Sequence, residues 1–180
     1  MNECNFRLVP IQLGWFGLVA RGGKLVATYL PCPKVELAGR IKASFGEAES
    51  SSGLMEAFVE DVRRYFEGHR VAFRAELDLT AVSPFRRRVL EVCRRIPYGR
   101  TSSYSELARL AGNPRAVRAA GGAMANNPLP LVIPCHRVLR SDGSLGGFSS
   151  PCGVSDKERM LRLEGIIASE GSTKLFRKAV

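Results

Sequence analysis

No stretch of the 180 residues approaches the ~18 to 20 consecutive apolar residues of a membrane span, and residues 1–10 lack the apolar core of a signal segment. Cysteine is sparse and unpaired: five residues, an odd number with no Cys-x-x-Cys pair, indicate neither a zinc finger nor a secreted disulfide framework. The chain is read as an intracellular, cytoplasmic protein with mostly reduced thiols; Cys4 and Cys32 are read as free thiols, with a disulfide between them as the alternative in a thermophile. Side-chain amides are also few, with one Gln and five Asn, while Arg outnumbers Lys 21 to 6. Low amide content points weakly to a thermophile, although GC-rich coding explains the arginines as well. Acidic residues are scarce in one half only. Residues 1–80 carry ten basic and ten acidic side chains, whereas residues 81–180 carry seventeen basic and seven acidic, so the whole net charge of +10 lies in the second half. That asymmetry suggests a polyanion-binding surface on one domain. Apolar residues make up 45% of the chain, enough for one or two small cored domains and too many for a disordered chain.

Residues 1–80 read as a mixed α/β domain. Segments 7–11, 15–20 and 24–29 are short and rich in β-branched, Leu and aromatic residues, punctuated by Gly14 and by Gly22-Gly23, as in an antiparallel sheet with hairpins. Residues 35–45 read as a helix. In 54–67, Leu54, Phe58, Val62 and Phe66 recur at helical spacing before Gly68, while 71–77 read as extended. Residues 81–180 form the second domain, in which helices dominate. Ser83-Pro84 starts a helix with Phe85, Val89, Val92 and Ile96 on one face. Ser103 and Glu106 have capping-box spacing for a short helix over 104–111, closed by Gly112. Asn113-Pro114 caps a second helix reaching about residue 125, and the pair makes a helix-turn-helix pattern. The second helix is nearly bare: Ala116, Ala119, Ala120, Gly121, Gly122, Ala123 and Ala125 accompany Arg115 and Arg118. Its two glycines cost about 1 kcal/mol each in helix propensity, which either tight internal packing or close approach to a partner explains. A bare helix with isolated arginines suits a narrow groove.

After Asn126-Asn127-Pro128-Leu129-Pro130 comes an apolar, proline-bounded run read as a strand, ending in Pro134-Cys135-His136-Arg137-Val138. A cysteine beside a histidine in such a setting is either an inert buried thiol or a desolvated nucleophile. In an extended strand, adjacent side chains point to opposite faces, so His136 would need a kink or a bridging water to serve Cys135. No other Cys or His stands at ligand spacing, so no metal is expected.

The run over residues 96–165 resembles the catalytic domain of the O6-alkylguanine-DNA alkyltransferases, the methylated-DNA–protein-cysteine methyltransferases. The resemblance rests on IPYGRTSSYSELARLAG, NPRAVRAAGGAMANNPLPLVIPCHRV, GSLGGFS and KERMLRLEG. It implies a ribonuclease-H-like α/β first domain and a mainly α second domain with a winged-helix-like helix-turn-helix. It also implies a monomer that flips O6-alkylguanine from double-stranded DNA, entered by the minor groove with weak sequence preference, and accepts the alkyl group on Cys135 without a cofactor. In that scheme His136 is the base, acting through a water, and Glu164 orients it. Asn127 holds the turn between recognition helix and active-site strand, and Tyr104 donates to the leaving guanine. Arg118 enters the base stack, and Pro130 and Phe148 wall the base pocket. The backbone of Val138 and Cys135 reads the guanine edge, while Ser149 and Lys157 belong to a closing loop. Ser103, Arg115, Gly121 and Gly122 complete the DNA-facing set. Two departures stand out. Phe148 replaces the more usual Tyr, and the Ser150 to Asp156 loop is about two residues longer than is typical and contains Cys152.

The chemistry fits. Displacement at the alkyl carbon needs a thiolate, which a carboxylate-oriented histidine supplies. A Tyr hydroxyl stabilises the charge developing on guanine. Flipping costs a few kcal/mol. A thioether product has no easy hydrolytic exit, so each molecule acts once. Three other readings compete. A non-catalytic lesion-binding relative would lack Cys135, a helix-turn-helix regulator leaves Cys135, His136 and Glu164 unexplained, and a Cys–His hydrolase would turn over.

Overall fold

A computed structural model describes residues 4–167. The chain divides into two compact units: Met1–Ala81 with Pro128–Val132, and Val82–Asn127 with Ile133–Val180.

In the first unit, strands β1 (Cys4–Ile11), β2 (Gly14–Arg21) and β3 (Lys24–Cys32) form an antiparallel meander, and the two-residue β4 (Glu49–Ser50) adds in parallel beside β1, giving the order β3-β2-β1-β4. Strand alternation divides the burial between two helices. Val19, Ala27 and Cys32 pack with Leu37 and Ile41 of α1 (Lys34–Phe45). Gly17 lies in the same region, where a Cβ would come within 3.0 Å of the Leu37 side chain, so the glycine lets α1 approach closely. On the other parity, Phe16 meets Phe58 and Phe66 of α2 (Glu56–Phe66), with ring centroids 6.4 Å apart in both pairs. Residues 71–77 are mostly irregular; only Leu77 bridges to the sheet, in parallel with Leu25.

Residues 128–132, assigned to the second domain from sequence, group with the first unit instead. The reason is the open edge of β3: Thr28 donates its N–H to the Pro128 carbonyl (3.0 Å) and its hydroxyl to that of Pro130 (2.7 Å), satisfying an edge strand that would otherwise be exposed.

The second unit contains α3 (Pro84–Arg94), α4 (Tyr104–Leu110), α5 (Val117–Ala125) and α6 (Val154–Leu163), with a small parallel pair formed by β5 (Ser102–Ser103) and β6 (Val138–Leu139). Ser83 occupies the cap position of α3 with Pro84 in its first turn, and Val89, Leu90 and Cys93 face inward. The Ser103 hydroxyl caps α4 by accepting from the Glu106 N–H at 3.1 Å. Helix α5 starts at Val117, three residues later than expected from Asn113-Pro114. The Asn113 side chain accepts from the Arg115 N–H (3.2 Å) and its carbonyl from the Ala116 N–H (3.0 Å), so Asn113 holds a separate turn before the helix begins.

Candidate functional site

Helices α4 and α5 meet through a tight connection: Gly112 takes φ of 85°, and the Asn113 N–H returns to the Ala108 carbonyl at 2.9 Å. Helix α5 buries Ala120, Ala123 and Met124 and leaves Arg118, Ala119, Gly122 and Ala125 exposed. A Cβ added at Gly121 or Gly122 would meet nothing within 4 Å. Internal packing therefore does not account for these glycines; they keep the outer face of the helix bare.

Beside α5 opens a cavity of about 440 Å³, lined on one side by Val117, Arg118, Gly121, Met124 and Ala125, and on the other by Tyr104, Cys135, Arg140 and 146–149. Gly146, at φ of 67°, carries this second wall past the tyrosine: a Cβ there would stand 3.2 Å from the Tyr104 hydroxyl.

Cys135 does not lie in a strand. Pro130 to Pro134 runs through a turn in which buried Leu131 holds φ of 79°, and Cys135–Arg137 then forms one turn of 3-10 helix. The Cys135 N–H bonds the Ile133 carbonyl (2.8 Å), and the Arg137 N–H that of Pro134 (2.9 Å). Successive side chains on such a turn diverge by about a third of a turn. The opposite-face restriction of a strand is thereby lifted: Cys135 lines the cavity while His136 and Arg137 both reach Glu164, just beyond α6.

The Glu164 carboxylate is a hub. Oε1 bonds His136 Nε2 at 2.7 Å and accepts from Arg137 Nη2 at 2.9 Å. Oε2 accepts from Arg137 Nε at 2.8 Å and from the Gly99 N–H at 3.1 Å. Arg137 Nη1 also reaches the Ile96 carbonyl at 2.6 Å. Burial alone would push the Glu164 carboxyl up, but the bonds and charges of His136 and Arg137 outweigh it and bring the group to about 2. Burial pulls His136 below its usual value despite the carboxylate. Burial pushes the Cys135 thiol up, against a hydrogen bond from Asn127 and the charge of Lys157. Burial, with Cys135 adding to it, also raises the Tyr104 phenol. The resting site is thus a neutral thiol, a neutral imidazole and an ionised carboxylate.

The remaining expected residues fall as follows. Asn127 donates to the Ile133 carbonyl at 2.8 Å, pinning the chain between α5 and the cysteine turn. Phe148 and Ser149 line the cavity. Lys157, expected in a closing loop, instead sits in α6 with no exposed surface, donating to the Val138 carbonyl at 2.6 Å and to that of Leu145; burial lowers it to about 8. Val138 is buried in β6 and does not line the cavity. Nor does Pro130, whose carbonyl is taken by Thr28 in the first unit. Ser103 serves as the α4 cap, joined through Ser105 to Ser141 by hydroxyl contacts of 2.8 and 3.0 Å. Arg115 is exposed on the turn before α5. Sequence reasoning missed Arg137 and Arg140. The signal for Arg137 was present: an arginine inside an apolar run must bury its charge against a carboxylate. Among the described residues no group of three or more His, Cys, Asp or Glu is placed to hold a metal ion.

Residues 84–166 match the family described as 6-O-methylguanine DNA methyltransferase, DNA binding domain. The chain is 40% identical over 157 residues to a methylated-DNA–protein-cysteine methyltransferase of Archaeoglobus fulgidus, covering 84% of this chain and 93% of that protein. It is 45% identical over 109 residues to the protein of that name from Methanothermobacter thermautotrophicus, where the match spans 60% of each. The mouse protein of that name is 38% identical over 146 residues, 81% of this chain and 61% of its own length. Among solved structures, the Mycobacterium tuberculosis OGT in complex with DNA superposes with a TM-score of 0.77 at 31% identity, covering 89% of this chain and 92% of that one.

Proposed function

The chain belongs to the methylated-DNA–protein-cysteine methyltransferases, and from that premise we infer that it repairs O6-alkylguanine in DNA by moving the alkyl group onto its own Cys135. The observation that carries this reading is the placement of Cys135 in the cavity that also takes in Tyr104 and Arg118. A non-catalytic lesion binder or a plain regulator has no use for that thiol.

The steps follow from the resting charges. Glu164 is ionised and accepts from His136 Nε2, so the neutral imidazole carries its proton there and its lone pair on Nδ1. Through a bridging water, Nδ1 takes the thiol proton as the guanine docks. Sulfur attacks the alkyl carbon, forming the S–C bond as the C–O6 bond breaks. Guanine leaves with the electron pair and is protonated from the Tyr104 hydroxyl, and the proton held on His136 returns to the tyrosine. The net change is one proton from thiol to guanine and one thioether on Cys135. With no easy hydrolysis of a thioether, the protein acts once.

The partner is double-stranded DNA, bound as a monomer without cofactor. The bare face of α5 suits the minor groove: with open space over Gly121 and Gly122, the backbone can approach closely, and Arg118 is the side chain free to replace the flipped base. Ser103 at the start of α4 and Arg115 in the turn between α4 and α5 are offered for phosphate contact, and Phe148 and Ser149 close over the base. Affinity comes from the basic second half and depends weakly on sequence. The first unit is read as ribonuclease-H-like and the second as winged-helix-like. The protein is read as cytoplasmic, acting where it meets DNA.

The test is intact-mass measurement after incubation with duplex DNA containing O6-methylguanine. One methyl per protein, mapped to Cys135, is expected. Catalytic release of methanol with an unmodified protein would identify a hydrolase, and tight binding without any transfer a lesion binder.

A further inference from the structure

The carboxylate that orients His136 takes one hydrogen bond from the histidine and a forked pair from Arg137. Both Arg137 Nε and Nη2 grip it, and with His136 Nε2 and the Gly99 N–H they occupy the roughly four acceptor positions that a carboxylate offers. The guanidinium is itself fixed, with Nη1 on the Ile96 carbonyl at 2.6 Å and Cζ 5.9 Å from the Tyr98 ring centroid. His136 and Glu164 have no exposed side-chain surface, and Arg137 keeps only 8%. A bidentate pair at such depth has a large mutual effect.

Left alone with His136, a buried carboxylate would form an ion pair and hold the imidazole protonated, which would remove it as a base. We propose that Arg137 is a positioning residue for alkyl transfer: by neutralising Glu164 it lets the carboxylate orient His136 without holding it in the charged form. The proposal rests on His136 being the base. The groups facing His136 are Glu164 at the end of α6, Arg137 on its own turn and Lys157 within α6, with the Cys135 thiol adjacent; the two cations act in the same direction, and burial reinforces them. Arg137 is the one of the two that contacts the carboxylate, since Lys157 spends its ammonium on the carbonyls of Val138 and Leu145.

The experiment is an NMR titration of the imidazoles together with the pH dependence of single-turnover transfer, in the full chain. The chain has two histidines, and His69 is solvent-exposed, so His136 is assigned without ambiguity. In Arg137→Met the His136 midpoint moves to higher pH. Transfer falls about tenfold on the acid side for each pH unit of displacement and converges on wild type in alkali. In Arg137→Lys the charge remains but the fork is lost, so the rate drops across the profile while the midpoint stays put. In Arg137→Met/Glu164→Gln both charges are gone, a change that buried pairs often tolerate, and the midpoint returns toward wild type. The double variant also keeps the test decisive if Arg137→Met fails to fold: a His136 midpoint left well above wild type in it would overturn the proposal. So would an unmoved or lowered midpoint in a folded Arg137→Met. Because the midpoint is read without substrate, failure of the base assignment shows separately, as a midpoint that shifts while the pH–rate profile does not.

Discussion

The two units bury different things. All five ring–ring contacts among the described residues lie in the first unit, joining Phe16, Phe58, Tyr65, Phe66 and Phe73. Among the described residues Thr28 is the one buried polar residue of the first unit, whereas the second buries Thr101, His136, Arg137, Asp156, Lys157 and Glu164. The first is an apolar core of ordinary chemistry. The second buries charges that are costly to desolvate, and those of Arg137, Lys157 and Glu164 act on the thiol or its neighbouring histidine. Burial of charge is therefore a marker of function in this molecule, and the unit that holds the chemistry is the one whose interior depends on protonation.

The contrast can be broken most sharply by paired substitutions. Cys135→Ala should abolish transfer completely while leaving the melting temperature nearly unchanged and duplex binding intact, measured by methyl incorporation, calorimetry and a gel shift. Residual transfer would mean another cysteine is the acceptor. Phe16→Ala should do the reverse. It removes a fully buried ring of the aromatic cluster and should cost about 3 to 5 kcal/mol by chemical denaturation. At a temperature where the variant remains folded, transfer per active molecule should match wild type. A comparable loss of chemistry in Phe16→Ala would mean that the site depends on the first core.

Acid should separate the units next. Glu164 sits near 2 when folded against an unperturbed 4.5, so its contribution is complete above 4.5 and is lost as the pH falls toward 2. The full loss is roughly 3 kcal/mol. His136 has the same sign: its folded value is lowered, so stability declines as the pH drops through 6.5, where only the unfolded chain takes up the proton readily. The acid-sensitive groups of the first unit are surface groups such as Glu56, exposed in its pair with Arg7, and contribute little. Hydrogen exchange at decreasing pH should show α6 and the 3-10 turn losing protection before the β1-β2-β3 sheet. Simultaneous loss would contradict the assignment of acid sensitivity to the Glu164 cluster.

The same division explains what was legible in the sequence. The first unit follows from period: alternation gives β1 to β3, and the recurrence of Phe58, Val62 and Phe66 gives α2. Where hydrogen bonding rather than period decides, the reading slipped. Asn113 forms its own turn, so α5 begins later than its proline suggests. The apolar run before Cys135 is a turn because Pro130 and Pro134 interrupt any ladder and Leu131 adopts a left-handed backbone. Residues 128–132 go with the first unit because Thr28 needs partners on an open edge, a demand invisible in their own composition. Cys135, His136 and Glu164 were legible through the resemblance. Arg137 was overlooked: its place in an apolar run signals a buried, paired charge, but the run does not say which carboxylate faces it.

The smallest effect concerns the bare helix. Both Gly121 and Gly122 lie inside α5, and each costs about 1 kcal/mol of helix propensity relative to Ala. Open space beyond both positions means an added methyl meets no neighbour, so Gly122→Ala should raise unfolding stability by nearly that amount. The methyl would then stand on the face proposed to meet the groove floor. Duplex binding should weaken several-fold, whereas reaction with free O6-benzylguanine, which needs no groove, should hold its wild-type rate. Gly121→Ala should differ in one respect: Gly121 lines the cavity, so its methyl should slow the free base as well. The measurements are a denaturation curve, a salt-matched binding titration and single-turnover rates on duplex and free base. A Gly122→Ala protein that is both more stable and fully able to bind duplex would show that the bare face of α5 does not touch DNA.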